Sequence, residues 1–408
     1  MKSAALAFFL LLGTVAFAQE KVLYSFQGGK DGAEPYGGLV FDTAGNLYGT
    51  TELGGDDSCN SGEGCGTVFE LSPNGKGGWK KTTLHVFTGG TDGQAPLEPL
   101  IIDGQGNLYG TTGGPGYGHG CPSSCGNAFE LSPGTGKWKF SVLHRFLGGN
   151  DGGQPSSPLA FDSAGNLYGT TEIFGAKRGG TIYQLSTKGG GSWKLTTLHA
   201  FDYGADGGLP EGSLVVDATG TIYGTTLYGG NGSFGVLYSF FLNSKGKWTE
   251  NVLRTFASKS DCGNPIWGLS ADQAGNLYCS SGPNYGNKWG VLFKFSPNAK
   301  GKLVGKSIYG FGRPDGGDPS YPVGTVLVDS TGNIYGTSSF GGTGGVGTVY
   351  ELALQQNGKY SPSVLYSFQG DSGSNPTSSV IMDESGNLYG LAQGSEGFSA
   401  GVVFEVTP

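Results

Sequence analysis

The chain has 408 residues, of which 81 are glycine, and its 24 basic and 32 acidic residues give a net charge of −8. Aromatic residues make up 12% and recur at regular intervals, which excludes the disordered class that a glycine-rich composition can indicate. No run of basic residues occurs, so nucleic-acid binding is not expected.

The N-terminal segment predicts an export signal. Lys2 precedes an apolar run over residues 4–18, which ends in Ala-Phe-Ala just before Gln19. This run is shorter than the roughly 20 apolar residues that a membrane-spanning helix needs. We therefore expect cleavage after residue 18 and a secreted or periplasmic mature protein without a membrane span.

A motif centred on tyrosine, first seen as Asn-Leu-Tyr-Gly-Thr at residues 46–50, occurs seven times. Neighbouring copies are 54 to 61 residues apart. A period of this length indicates one supersecondary unit stacked seven times. The central residues are Tyr48, Tyr109, Tyr168, Tyr223, Tyr278, Tyr335 and Tyr389.

Each unit contains four short runs of alternating apolar and polar residues, which predict strands a, b, c and d. In the first unit they cover residues 39–42, 47–51, 67–71 and 81–87. The a–b connection is Asp-x-x-Gly, in which we expect the Asp side chain to accept backbone N–H groups. An aromatic residue usually opens strand d, and we expect it to pack between units; these residues are Trp79, Trp138, Trp193, Trp248 and Tyr360.

The order of strands along the chain predicts a closed ring. A lone d strand at residues 22–26 comes first, six complete units follow, and the last unit ends with its c strand at residues 401–406. The first strand can therefore complete the last unit, which removes exposed sheet edges. The prediction is a single all-β domain over residues 19–408: a seven-bladed β-propeller with four antiparallel strands per blade, closed by pairing of the N-terminal strand with the C-terminal blade.

The units Gly-Asn-Leu-Tyr-Gly-Thr-Thr and Gly-Thr-Val-Phe-Glu-Leu resemble the GloVer (Gloeobacter/Verrucomicrobia) tandem repeat. The resemblance covers residues 20–408 and implies a secreted, β-propeller-like bacterial protein, often of the kind that carries one of several C-terminal anchors. This sequence departs from the anchored pattern because no apolar segment follows its last strand. The resemblance supplies no catalytic residue.

Six cysteines predict three disulfides in an exported protein. Cys262 and Cys279 replace glycines of the repeat within the same unit, which predicts a bond between them. The other pairs share loops between strands b and c. Zinc binding is the alternative for these four, but their spacings are irregular: Cys59, Cys65, Cys121 and Cys125.

The b–c and d–a loops, here called the loop face, are long and varied, whereas the a–b and c–d turns, the turn face, are short and regular. A variable face on a rigid scaffold is where binding sites usually lie. The d–a loops carry the pattern Asp-Gly-x-x-Pro. In the sixth unit we assign this pattern to Asp315 through Pro319. The residues after this proline are expected at the mouth of the central channel, and the candidate ligand-binding residues are Tyr36, Glu98, Glu211, Trp267 and Tyr321. The alternative is that the loop aromatics only pack against one another.

Catalytic signals are weak. Three histidines share one d-strand position that other units fill with Tyr or Arg, so we interpret them as structural; they are His85, His144 and His199. The weak catalytic candidates are Glu98 and Glu211, as an acid/base pair, and His119. We expect a monomeric module that binds an extracellular glycan or protein, with no cofactor and no metal ion. The alternatives are an extracellular carbohydrate-active hydrolase or lyase, and a structural envelope or matrix protein.

Overall fold

A computed structural model describes residues 19–114, 124–189, 191–257, 261–281, 289–313, 315, 317–370, 373–394 and 400–408. The predicted signal segment, His119 and Cys121 lie outside these ranges. The described chain forms seven antiparallel sheets, each with the strand order a-b-c-d, which confirms the seven-bladed β-propeller. Within these ranges no helix is long and apolar enough to cross a membrane. Two 3₁₀ turns, Gly29–Asp31 and Asn60–Gly62, lie in loops.

The a strands line the central channel, and several are broken in two by the loop that follows the proline. They are Ala33–Pro35 with Val40–Phe41, Ile101–Ile102, Gly153–Pro155 with Ala160–Phe161, Val215–Val216, Leu269–Ala271, Ser320–Val328, and Ser374–Pro376 with Ile381–Met382. The b strands are buried along most of their length. They are Leu47–Leu53, Leu108–Thr112, Leu167–Ile173, Ile222–Thr225, Leu277–Ser281, Ile334–Phe340 and Leu388–Gln393.

The c strands are the third in each blade. They are Thr67–Pro73, Asn127–Ser132, Thr181–Thr187, Val236–Leu242, Val291–Pro297, Thr348–Leu354 and Val402–Thr407. The outermost d strands each carry one register shift against strand c, which the sequence did not indicate. They are Trp79–Val86, Lys139–Arg145, Trp193–Ala200, Trp248–Thr255, Leu303–Gly310, Tyr360–Ser367 and Gln19–Ser25.

The ring closes as the strand order predicted. The first strand pairs antiparallel with the last, from Gln19 opposite Thr407 to Ser25 opposite Val402. Blade 7 therefore consists of strands from both ends of the chain.

The aromatic residue at the start of strand d packs between blades, which confirms its predicted role. Each of the four tryptophans lies edge-on against the repeat tyrosine of the preceding blade, as in Trp138 against Tyr48, with ring centroids 5.8 Å apart. The same contact recurs at 6.0 to 6.5 Å in three further pairs, Trp193–Tyr109, Trp248–Tyr168 and Trp79–Tyr389. One repeat position thus supplies much of the blade-to-blade contact.

The a–b turn aspartates act structurally, as predicted. The Asp162 carboxylate accepts the backbone N–H groups of Ala164 and Asn166 at 2.9 Å each. It also accepts the Asn166 side-chain amide at 2.8 Å and the hydroxyl of Tyr168 at 3.0 Å. Burial opposes ionisation, but these donors outweigh it and lower the pKa of Asp162. The repeat tyrosine is therefore fixed at both ends, by the aspartate of its own blade and by the tryptophan of the next.

A backbone contact joins the blades at the loop face. In every unit the residue before the proline has a positive φ although it is not glycine, and its N–H bonds a carbonyl of the preceding blade, as in Gln154 to Cys125 at 2.7 Å. In the sixth unit this residue is Tyr321, with φ 60°, and Pro322 pairs with Ser338. The alignment of that unit with Pro319 is therefore wrong by three residues, because the loop offers two Asp and two Pro candidates.

Two predicted disulfides are present, Cys59–Cys65 and Cys262–Cys279. Cys125 is also disulfide-bonded, and its predicted partner lies outside the described residues.

The blade core adapts around the Cys262–Cys279 bond. In blade 2 a Cβ added at Gly110 would lie 2.6 Å from the Phe129 ring, so the repeat requires glycine there. Cys279 takes this position in blade 5, where the neighbouring strand d supplies Gly305. A Cβ at Gly305 would lie 2.5 Å from the ring of Phe295. The sequence therefore changes at both positions, and Gly305 leaves room for the ring of Phe295.

Candidate functional site

A cavity of about 370 Å³ lies where the a strands converge at the loop face. All seven blades contribute to its wall, mostly through residues that follow the proline of the d–a loop. Tyr36, Glu98, Glu211 and Trp267 all line it, whereas Tyr321 is not among the lining residues. The structure thus brings four of the five ligand-binding candidates together.

The two aromatic residues of the cavity are both half-buried. Trp267 is fixed in orientation because its indole N–H donates to the Pro322 carbonyl of the next blade at 3.0 Å. Its N–H is therefore occupied, and what it offers to the cavity is the ring. Burial raises the pKa of Tyr36, and the negative charges of Glu52 and Glu98 raise it further. At neutral pH this hydroxyl is a donor as well as an acceptor.

Three carboxyl groups, those of Glu98, Glu172 and Glu211, line the cavity. None of them forms a hydrogen bond or ion pair with another described residue. Burial alone raises the pKa of Glu98 to about 7. Burial, followed by repulsion from Glu172 and Glu98, raises the pKa of Glu211 to about 7. The described lining contains no Lys, Arg or His to neutralise them.

The hydroxyl groups at the cavity wall are partly used to hold the blades together. Ser156 donates to the Pro210 carbonyl of the next blade at 3.3 Å, and Thr377 donates to that of Pro35 at 2.8 Å. These contacts fix the positions of the loops that carry Glu211 and Tyr36. These contacts hold the cavity wall together, and the three carboxyl groups stay without hydrogen-bond partners among the described residues.

The loop aromatics outside the cavity follow the alternative that the sequence left open. Tyr321 lies with its ring centroid 5.8 Å from Trp289 and 5.0 Å from Phe340, edge-on in both cases. These three rings order the loops between blades 5 and 6.

The d-strand histidines bond to the aspartate of the following d–a loop. Their Nε2 atoms lie 3.3, 3.0 and 2.8 Å from aspartate oxygens, and Arg254 makes the equivalent ion pair to Asp261. The aspartates bonded to His85, His144 and His199 are, in that order, Asp92, Asp151 and Asp206. This pairing, seven residues apart, explains why the position accepts different donors, and it confirms the structural role predicted for it.

Among the described residues, one group has the composition and spacing to hold a metal ion: His199, Asp206 and Glu250, with potential ligand atoms within 4.8 Å of one another. The Glu250 carboxylate lies 3.6 Å from His199. Since His199 already bonds Asp206 as in the other blades, the structural pairing accounts for the contact.

Glu172 was not among the site residues predicted from the sequence. It ends the string Leu-Tyr-Gly-Thr-Thr-Glu of strand b, which occurs in the first and third units only. The signal that could have identified Glu172 is a charged residue at the loop-side end of a buried strand. It was not recognised because Glu172 also fits the alternation of polar and apolar residues expected of a strand.

A family model described as the Gloeobacter/Verrucomicrobia repeat matches residues 117–287 and 242–408. No curated protein matches the chain. Among solved structures, an ancestral GH74 enzyme superposes with a TM-score of 0.59 at 11% identity, over 96% of this chain and 51% of that chain. A fungal alcohol oxidase of the AA5 family, in complex with copper, has a TM-score of 0.58 at 12% identity, over 96% and 77%. A candidate 6-phosphogluconolactonase from Bacteroides fragilis has a TM-score of 0.54 at 14% identity, over 88% of each chain. These likenesses show the fold alone.

Proposed function

We propose a carbohydrate-binding function for this chain, which belongs to the Gloeobacter/Verrucomicrobia repeat family. The observation that carries the proposal is that Tyr36 and Trp267 share one cavity with Glu98 and Glu211. Aromatic rings stack on the apolar faces of sugars, and carboxyl groups without protein partners are free to bond sugar hydroxyls. The ligand is a sugar residue of an extracellular glycan.

The size and charge of the cavity support a neutral or amine-bearing sugar. Its volume of about 370 Å³ falls in the range of about 300–1,000 Å³ that is common for small-molecule sites. Three carboxyl groups and no basic side chain line the described wall, so a uronic acid or sulfated sugar would meet like charge.

Titration calorimetry with neutral, amino and acidic oligosaccharides tests the proposal. We expect saturable binding of neutral or amino sugars, weakened at least about ten-fold by Glu211→Gln, which removes a charge-assisted hydrogen bond. Trp267→Ala should weaken it as well, by removing the stacking ring. Glu130→Gln is the matched control, because Glu130 lies on an outer strand and bonds Ser132. Failure of every sugar to bind, with the protein folded, would remove the proposal.

A second function, glycosidase-type acid/base catalysis, is favoured by one observation. Glu98 and Glu211 have pKa values of about 7 in the same cavity. A carboxyl that keeps its proton near neutral pH can protonate a glycosidic oxygen, while an ionised one can activate water or attack the anomeric carbon. The charges of Glu172 and Glu98 add to burial in favouring the protonated form of Glu211.

Product analysis separates the two functions. Hydrolysis would release new reducing ends, and a lyase reaction would give an unsaturated product that absorbs in the ultraviolet. The Glu98→Gln/Glu211→Gln variant should then lose turnover. Wild-type protein that binds a sugar and returns it unchanged is a binding module.

We also propose that the protein functions outside the cytoplasm, as a monomer. The Cys59–Cys65 and Cys262–Cys279 bonds support an oxidising compartment. Alkylation of whole cells before lysis, followed by mass spectrometry, should find all six cysteines unmodified. Labelled cysteines in protein recovered from the cytoplasm would contradict the location.

A further inference from the structure

One loop residue breaks the repeat at the rim of the cavity. Tyr203 has φ 63°, a conformation that costs a non-glycine residue of order 1 kcal/mol or more. The equivalent position, two residues after the conserved phenylalanine of the d–a loop, is glycine with positive φ in four other units: Gly28, Gly89, Gly148 and Gly370. A bulky side chain therefore occupies a position whose backbone conformation favours glycine.

The ring of Tyr203 is held in place but open to solvent. It is 44% exposed and lies over the backbone of Gly208, where an added Cβ would be 2.5 Å from the Tyr203 Cδ1 atom. The Tyr203 N–H bonds the Gly207 carbonyl at 2.9 Å, which closes the turn beneath the ring. Nearly half of the surface of Tyr203 is therefore open to contact with a ligand.

A second exposed tyrosine is attached to the same backbone. Tyr228 is also 44% exposed, and its N–H and C=O groups exchange hydrogen bonds of 3.0 and 2.9 Å with Gly208. Gly208 precedes the cavity residue Glu211 by three positions. The two rings therefore stand on a rigid segment that leads directly into the cavity wall.

The electrostatic environment of Tyr203 places it beside the cavity carboxyl groups. Burial raises its pKa, and the charges of Glu172 and Glu211 and the neighbouring Tyr228 raise it further. These interactions agree with the backbone link that joins Tyr203 and Tyr228 to the segment leading to Glu211.

We infer that Tyr203 and Tyr228 form a second sugar subsite, so that the ligand is an oligosaccharide or a chain end rather than a single sugar. This inference rests on the proposed function. One sugar residue occupies the cavity, and the residues that follow it stack on the two exposed rings. Neutral apolar sugar faces suit these rings, which carry no charge.

The test measures affinity as a function of ligand length. Calorimetry uses cello-, xylo-, malto- and chito-oligosaccharides of one to six residues. Wild-type affinity should rise between one and three or four residues by roughly 3- to 10-fold per stacked ring. Tyr203→Gly, which introduces the glycine found in four other units, and Tyr228→Ala should each remove part of this rise and leave monosaccharide affinity unchanged. Phe340→Ala, another aromatic that is 44% exposed on the loop face, is the matched control and should change nothing.

The outcomes separate the inference from the proposed function. Affinity that is flat with length and unaffected by Tyr203→Gly overturns the subsite and leaves the cavity function standing. Loss of monosaccharide binding in Tyr203→Gly, with the protein folded, also overturns it, since the residue would then belong to the cavity. Absence of binding to every sugar overturns both.

Discussion

At the turn face of the propeller, Asp162 accepts four hydrogen bonds, whereas at the loop face Glu98 accepts none from the described residues. Both residues are partly buried. Donors lower the pKa of the first, and burial without donors raises the pKa of the second to about 7. The same chemical group therefore stabilises the fold at one face and costs stability at the other. The repeat supplies hydrogen-bond donors to its turn aspartates. A binding site can form where a carboxyl group, such as that of Glu98, has no donor within the protein.

The largest effect on stability is expected from removing the Cys262–Cys279 disulfide at the loop face. Cys262→Ala/Cys279→Ala should lower the free energy of unfolding by about 3 kcal/mol, because it frees a loop with a sequence separation of 17. Urea denaturation measures it. Cys59→Ala/Cys65→Ala, with a separation of 6, is the control and should cost about 2 kcal/mol. Equal midpoints for wild type and the first variant would show that the turn face alone determines stability.

The pH dependence of stability should differ between the carboxyl groups of the two faces. The folded pKa values of Glu98 and Glu211, about 7, exceed their ordinary value of 4.5, so the native state holds protons that the unfolded state has lost. Stability should therefore fall as pH rises from about 5 to 8, by about 2 kcal/mol. Turn aspartates such as Asp42, Asp103 and Asp162 act oppositely, since their lowered pKa makes stability fall as pH drops below about 4. Denaturation midpoints should peak near pH 5, and a rise from pH 5 to 8 would contradict the unbonded state of the glutamates.

A substitution at the turn face should destabilise without affecting ligands. Asp162→Ala leaves the amides of Asn166 and the hydroxyl of Tyr168 without their acceptor. The expected loss is between about 1 and 2 kcal/mol in denaturant unfolding. Sugar affinity should stay within two-fold of wild type by calorimetry, at about 0.4 kcal/mol or less. A larger change in affinity would mean that the two faces are coupled.

The smallest predicted effect is an increase, not a decrease, in the free energy of unfolding. Glu98→Gln removes a buried charge at pH 8 and should raise the free energy of unfolding by about 1 kcal/mol. At pH 5, where Glu98 is already neutral, the variant should match wild type. A loss of stability at pH 8 would indicate a bonded carboxylate in solution.

The fold could be predicted from the sequence because each unit repeats the same local evidence. The lone d strand at residues 22–26 was enough to predict the closure, and the paired exceptions at Cys262 and Cys279 to predict their bond. The alignment failed in the sixth unit, where Asp315 and Asp318 both fit the loop pattern. Tyr321 was therefore placed after the proline, although it directly precedes Pro322. The cavity carboxyl groups could be named in part, but not their environment. Burial of Glu98 depends on how seven blades converge, and no single unit contains that information.

The pairing of residues 19–25 with residues 402–407 also sets an order of events during synthesis. The first strand of the ring to leave the ribosome is matched with the last. Blades 1 to 6 can form as their own strands emerge, since each is continuous in the chain. The opening strand has to wait unpaired, with half-buried side chains such as Tyr24 uncovered, until residues 402–407 have been made. Completion of the cavity, to which blade 7 contributes Thr377, therefore follows the synthesis of all seven blades.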